Sequence, residues 1–377
     1  MLAVSAAFAG ESSISGDVKL FYTTTDAGAT QGALGNAGDY DLFDKAGSTG
    51  DAALSLDYSR EVASGVTLNA GVTGISTLGL EDTVVSDVWV AGEGAGTNDT
   101  FWLDVANLSV TIGNTTAVIG RQKLDTPLAF TETWNIVENT FDAFTFVNSD
   151  LPEITLVASA VTRANGLGAF TNFQGGMTDL GDGIYAVGAV TKLIPQTVAQ
   201  AWYYEANGIV DNKKVWLQAD IDAGNGITAG VQYGQASKDS SIIAGQLGYA
   251  VDALTVSAAY SQTDEEGQNS FANYGGFGQS PVYTEAWWNF GKTTVADAQA
   301  MTLKAGYDLG VAQLGAQYTT VKNDTTVTNE MDELTLTAET KVGPFDAAFA
   351  YINTTADNDP SIDGNSVQVC LTAPFTL

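Results

Sequence analysis

The chain has 377 residues, no histidine, one cysteine and a formal net charge of -30, from 44 acidic against 14 basic residues. The missing His removes Ser–His catalysis and the commonest metal ligand, Cys370 alone closes no intramolecular disulfide, and the acidic excess repels nucleic acid, so no enzyme is expected. Charged residues are only 15% and Gly is 41 against Pro 7, a mixture that suits strands with one apolar and one wet face better than helices.

Taken in chain order, "MLAVSAAFAGESS" reads as a secretory-signal remnant over residues 1–9, with small residues at Ala7 and Ala9 where a signal peptidase reads. A basic start is missing, and an ordinary N-terminal strand is the other reading. No later apolar run approaches the roughly 20 residues of a membrane helix. An exported chain of that kind is periplasmic, secreted or an outer-membrane barrel.

From residue 10 onward the chain alternates apolar and polar residues with period 2. In 331–342, Leu334, Leu336 and Ala338 share one face, and Glu333, Thr335, Thr337, Glu339 and Lys341 the other. The predicted strands are 14–25, 50–60, 65–76, 100–112, 116–124, 141–148, 153–164, 183–194 and 198–206, then 213–222, 226–236, 241–251, 254–264, 298–308, 311–322, 331–342, 345–354 and 363–377. Tight turns alternate with long polar loops between them. The fold class is all-β: a transmembrane antiparallel up-and-down β-barrel of about 18 strands, one domain over 10–377, with long external loops and short periplasmic turns. A β-sandwich or β-helix is the soluble alternative. Tyr22, Tyr58, Trp102, Trp202, Tyr204, Tyr233, Tyr249, Tyr260, Tyr307, Tyr318 and Tyr351 cluster near strand ends, as an interfacial girdle would need.

The polar parity of so wide a barrel lines an aqueous lumen. Lys19, Arg121, Lys123, Arg163, Lys192, Lys214, Lys304 and Lys341 fall mostly on it and are predicted to form a basic ladder on the pore wall. A cation on the lipid face would cost about 2–4 kcal/mol at the midplane. Acids gather in loops such as 26–44, 81–87 and 263–268, where they suit solvent, lipopolysaccharide and bridging divalent ions and would enrich cations at the mouth. "DNDPSIDG", with Asp357, Asp359 and Asp363, approaches the spacing of a calcium loop but contains Pro360 and lacks the closing Glu. Calcium at acidic loops is the one cofactor considered.

Between the fifth and sixth predicted strands the alternation stops, at "GRQKLDTPLAFTETWNIVENTF". Leu128, Phe130, Trp134, Ile136 and Val137 are what a loop packed on an inner wall would use, so the third loop, 125–140, is predicted to fold inward. Asp125, Glu132, Glu138 and Asp142 would then face Arg121 and Lys123 across a narrowed aperture and set a transverse field. The other reading is an ordinary external loop.

"GRQKLDTPLAF" followed by "NTFDAFTFVNSDLPEITLVASAVTR" resembles the OprD-type porins, and in particular the major outer membrane porins of Campylobacter-like bacteria, over roughly residues 117–166. The resemblance implies an 18-stranded outer-membrane barrel, often a homotrimer, that passes ions and small hydrophilic solutes. It also implies Arg121, Lys123 and Arg163 as ladder members, with Glu132 and Glu138 on the loop facing them. The chain departs from the usual terminal aromatic, ending in Phe375 and Leu377, with Pro374 in its last strand. The expected function is a weakly cation-preferring porin among outer-membrane lipids and lipopolysaccharide. The alternative is a surface structural or adhesive barrel with a plugged lumen, its candidate contact the loop 265–297 with "FANYGGFGQ".

Overall fold

The computed structural model describes residues 12–26, 41–80, 83–85, 100–166, 176–206, 212–236, 240–265, 271–276 and 278–377. The signal remnant expected at 1–9 lies outside the described residues, as do parts of the acidic loops.

The strands are β1 (Ser12–Thr25), β2 (Ser48–Ala63), β3 (Val66–Ser76), β4 (Thr100–Ile112), β5 (Thr115–Gln122), β6 (Asp125–Thr126), β7 (Ala129–Phe130), β8 (Phe141–Asn148), β9 (Ile154–Ala164) and β10 (Thr178–Thr191). They continue as β11 (Thr197–Ala206), β12 (Asn212–Gly224), β13 (Ile227–Ala236), β14 (Ser240–Val251), β15 (Leu254–Thr263), β16 (Gln299–Asp308), β17 (Ala312–Lys322), β18 (Met331–Val342), β19 (Phe345–Thr355) and β20 (Gly364–Thr376). All except the short hairpin β6–β7 form one 18-stranded antiparallel sheet. Each strand pairs with the next, and β20 returns to β1, from Ser15 opposite Thr376 to Thr25 opposite Ser366. Closure leaves no unpaired edge, the condition for a sheet to sit in lipid. Among the described residues no helix is long and apolar enough to cross a membrane, which leaves strands free to do so.

The strand boundaries read from period 2 agree with this sheet to within a few residues. The main exception is β10, which begins five residues before the predicted 183. A bulge between Asp179 and Ile184, with Gly181 and Gly183 at φ 63° and 85°, interrupts the alternation there.

One parity is exposed and apolar all round the ring: Leu54 and Leu56 on β2, Val231 on β13, Ile243 and Leu247 on β14, Leu334 and Leu336 on β18. Tyr233, Tyr249, Tyr260, Tyr307 and Tyr318 belong to this outer surface. Trp102, Trp202 and Tyr204 do not: they are buried on the inner wall, so the girdle expected of them is corrected. Their indole and phenol rings serve as seats for the inward loops. The buried apolar residues collect in three clusters where those loops meet the wall.

Candidate functional site

Loop 123–140 leaves β5 and crosses the lumen. Gln122 anchors its start by donating its amide N–H to the Ala143 carbonyl on β8 (2.9 Å). Leu128 is buried against the inner wall with Trp202, Tyr204 and Trp216, and its backbone N–H donates to the Tyr204 hydroxyl (3.2 Å). Ile136 and Val137 bury on another part of the wall, with Phe21, Ala53, Ile75 and Trp102. Apolar anchors at both ends explain why this polar stretch leaves solvent.

A second segment, 271–298 between β15 and β16, is also inside. The expectation that 265–297 is an external adhesive loop is therefore corrected for its described part: Phe271 packs on Trp216, and Ala286 and Ala298 on Ala300, Val321 and Met331. Two buried carboxylates hold it. Glu132 of loop 123–140, only 1% exposed, accepts from the Asn273 amide (3.0 Å) and the backbone N–H groups of Gly278 (3.3 Å) and Gln279 (3.2 Å), while Trp134 Nε1 donates to its other oxygen (2.8 Å). A Cβ on Gly276 would collide with this carboxylate and with the Asn273 amide, so only glycine permits the approach. Glu333 of β18 accepts from the N–H groups of Trp287 (2.8 Å), Trp288 (3.0 Å) and Asn289 (2.9 Å) and from the Asn289 amide (2.8 Å). Asp220 on β12 accepts from the Tyr283 hydroxyl (2.6 Å).

The two segments meet in an aromatic contact. Trp134 lies edge-on to Trp288 at 5.7 Å between centroids and tilted to Phe290 at 5.0 Å. Beside it a space of about 550 Å³ opens between the segments and the walls of β14, β16, β17 and β20. Glu285 and Lys304 are the charged side chains that line its described part. The Glu285 carboxylate accepts from the N–H groups of Ser280 (2.8 Å) and Gly291 (3.1 Å), yet burial pushes its pKa up to about 7. Lys304 on the facing wall feels its charge. Lowering the pH from 8 to 6 should therefore neutralise Glu285 and leave Lys304 uncompensated. The carboxylate infrared band of Glu285, identified by its absence in Glu285→Gln, should shrink over that interval; a band unchanged between pH 8 and 6 would contradict this.

The predicted site residues separate into groups. Glu138 pairs with Lys123 at 2.5 Å at the start of the loop, and Asp125 is exposed on β6. Glu132 is the buried bracket described above and does not face an aperture; three of its donors, Asn273, Gly278 and Gln279, lie across the contact between the two segments, and Trp134 is in its own loop. Asp142, Arg121 and Arg163 share the outer parity of Ile119 and Phe144, so they leave both the lumen and the ladder: Asp142 accepts from Arg121 (2.9 Å) and Arg163 (2.6 Å) on the outside of the barrel. Lys19 and Lys304 are on the inner parity, and Lys192 follows the end of β10. Lys341 pairs with Asp346 at 2.6 Å, and Lys214 is buried over the rings of Tyr274 (4.3 Å) and Phe271 (5.7 Å). Arg121 and Arg163 thus leave the predicted ladder, while Lys19, Lys214, Lys304 and Lys341 keep the inner parity of their strands.

The inner wall of β1–β4 also carries acids: Asp17, Asp57 and Asp104. A Cβ on Gly71 would stand 2.6 Å from one Asp104 oxygen and 2.7 Å from one Asp57 oxygen, so the two carboxylates converge over this glycine. Asp57 is legible in the sequence as the polar residue between the outward Leu56 and Tyr58 of β2. The calcium candidate disperses: Asp359 is engaged by Lys292 (2.9 Å) and Ser361, Asp363 accepts from the Ala356 N–H (3.0 Å), and no metal-holding acidic group occurs among the described residues.

No family model matches the chain and no curated protein matches it in sequence. Solved structures match its whole fold. The outer membrane protein OpdK of Pseudomonas aeruginosa is 15% identical, with 97% of this chain and 99% of that chain covered and a TM-score of 0.76. A structure of OpdK with vanillate gives 0.79 at the same identity and coverage. OccAB4 of Acinetobacter baumannii is 14% identical over 97% of this chain and 98% of that one, with a TM-score of 0.76. These neighbours are OprD/Occ porins, and the 18-stranded barrel implied by the resemblance over 117–166 is the observed fold.

Proposed function

We propose that this protein is an integral outer-membrane porin of the OprD/Occ type, a water-filled channel for small hydrophilic solutes and ions rather than an enzyme. The observation that carries the reading is the closed 18-stranded ring with an apolar exterior and a polar lumen narrowed, not filled, by two inward segments. Lipid contacts the apolar belt, and lipopolysaccharide contacts the upper rim. The narrower kinship to porins of Campylobacter-like bacteria rests on residues 117–166. Copies would meet as a homotrimer through part of the apolar exterior.

The lumen favours cations in this reading. Asp17, Asp57, Asp104, Asp220 and Asp222 share the inner parity, while Lys123 is matched by Glu138 and Lys341 by Asp346. Reconstitution in a planar bilayer under a KCl gradient tests both parts. Channels with a reversal potential on the potassium side are expected, and Asp57→Asn with Asp104→Asn should lower the cation-to-anion permeability ratio about two-fold. A chloride-selective potential would refute the preference, and no conductance would refute the porin.

A further inference from the structure

We propose that the constriction contains a subsite for a neutral, polyhydroxylated solute of about monosaccharide size; this rests on the porin reading and gives it a solute class. The space of about 550 Å³ beside the Trp134–Trp288 contact is lined by amides from separate parts of the molecule: Gln246 on β14, Gln317 on β17, Gln368 on β20 and Gln279 on the inward segment. Gln317 spends its amide N–H groups on the Glu285 carbonyl (2.9 Å) and the Thr319 hydroxyl (3.2 Å) and offers its carbonyl, so the set supplies both donors and acceptors, which matches hydroxyl groups that give and take hydrogen bonds. The indoles of Trp134 and Trp288 add apolar faces on which the C–H side of a sugar ring can rest.

Gln368 points most directly to a ligand. It is 5% exposed, lines the space, and its amide nitrogen finds no partner among the described residues. A buried donor without a protein partner is one that an entering hydroxyl can satisfy. Charge argues against ionic solutes. Glu285 and Lys304 are of opposite sign and interact with one another, so the lining of the described space has no net formal charge when both are ionised. A carboxylate would call for an arginine fork, and none lines the space among the described residues.

Single channels of the full-length protein in planar bilayers, with glucose as the probe, test the subsite. Glucose is expected to interrupt the potassium current in events whose frequency saturates with concentration. Gluconate and glucosamine, which keep the carbon skeleton and add a charge, are expected to block more weakly by about five-fold or more. Gln368→Leu should weaken the glucose block about ten-fold, and Gln246→Leu supplies a second variant should the first not assemble. Each block is referred to that variant's own sugar-free current. A conducting channel that glucose never interrupts, equal block by a charged analogue, or unchanged block in both variants would overturn the subsite and leave the porin standing. Absence of any conductance would overturn both.

Discussion

Replacing Glu333 with alanine is expected to raise single-channel conductance about two-fold, because an 18-stranded ring is too wide for its own side chains and depends on inward segments to narrow it. The carboxylate accepts three consecutive backbone N–H groups, from Trp287 to Asn289, and the Asn289 amide. Hydrogen bonds to a charged group contribute about 1.5–3 kcal/mol each, and buried donors left without an acceptor cost about 1–3 kcal/mol each. The cheapest relief is for the segment to leave the wall and hydrate its N–H groups. Asn289 keeps one wall contact, to the Thr354 hydroxyl (3.0 Å), which is too little to hold three orphaned donors. Wider conductance distributions and more frequent gating should accompany the rise. Glu333→Ala channels with wild-type conductance would show that the apolar seat of Ala286 and Ala298, with the wall hydrogen bonds at Thr284 and from Gln317 to the Glu285 carbonyl, suffices without the carboxylate.

The wall was legible because period 2 is a local signal: each strand states its own two faces. Loop 123–140 was legible for a related reason, since Leu128, Ile136 and Val137 are costly in solvent and announce burial. The segment 271–298 was not legible. It is held inside largely by polar groups such as Asn273, Tyr283 and Asn289, whose partners are far away in the chain; Asn273 meets Glu132 across 141 positions and Tyr283 meets Asp220 across 63. Buried polarity of this kind reads as loop until its partners are known. The misplaced ladder arginines have a different origin. Arg121 follows Ile119, and Asp142 precedes Phe144 and Phe146, at intervals of two, so parity alone placed them outside. Parity and the cost of charge in lipid point to opposite sides at these positions, and the observed register follows parity.

Those outward charges set the second large effect. Register brings Arg121, Asp142, Arg163 and Asp179 opposite one another across β5, β8, β9 and β10, beside exposed Phe144. Asp142, with its side chain 14% exposed, bridges both arginines, and Arg121 also donates to the Leu103 carbonyl (2.6 Å). A lone arginine on the lipid face costs about 2–4 kcal/mol at the midplane and less towards the headgroups. Asp142→Leu should therefore destabilise the barrel in lipid vesicles by about 2–4 kcal/mol, read from guanidinium unfolding. The triple replacement Arg121→Leu, Asp142→Leu and Arg163→Leu should recover most of that loss, because an ion triad exchanged for apolar side chains is often neutral or stabilising. Loss in the single variant with recovery in the triple would place the triad in a low-dielectric surround. Equal stability of wild type and Asp142→Leu would place it in water above the lipid.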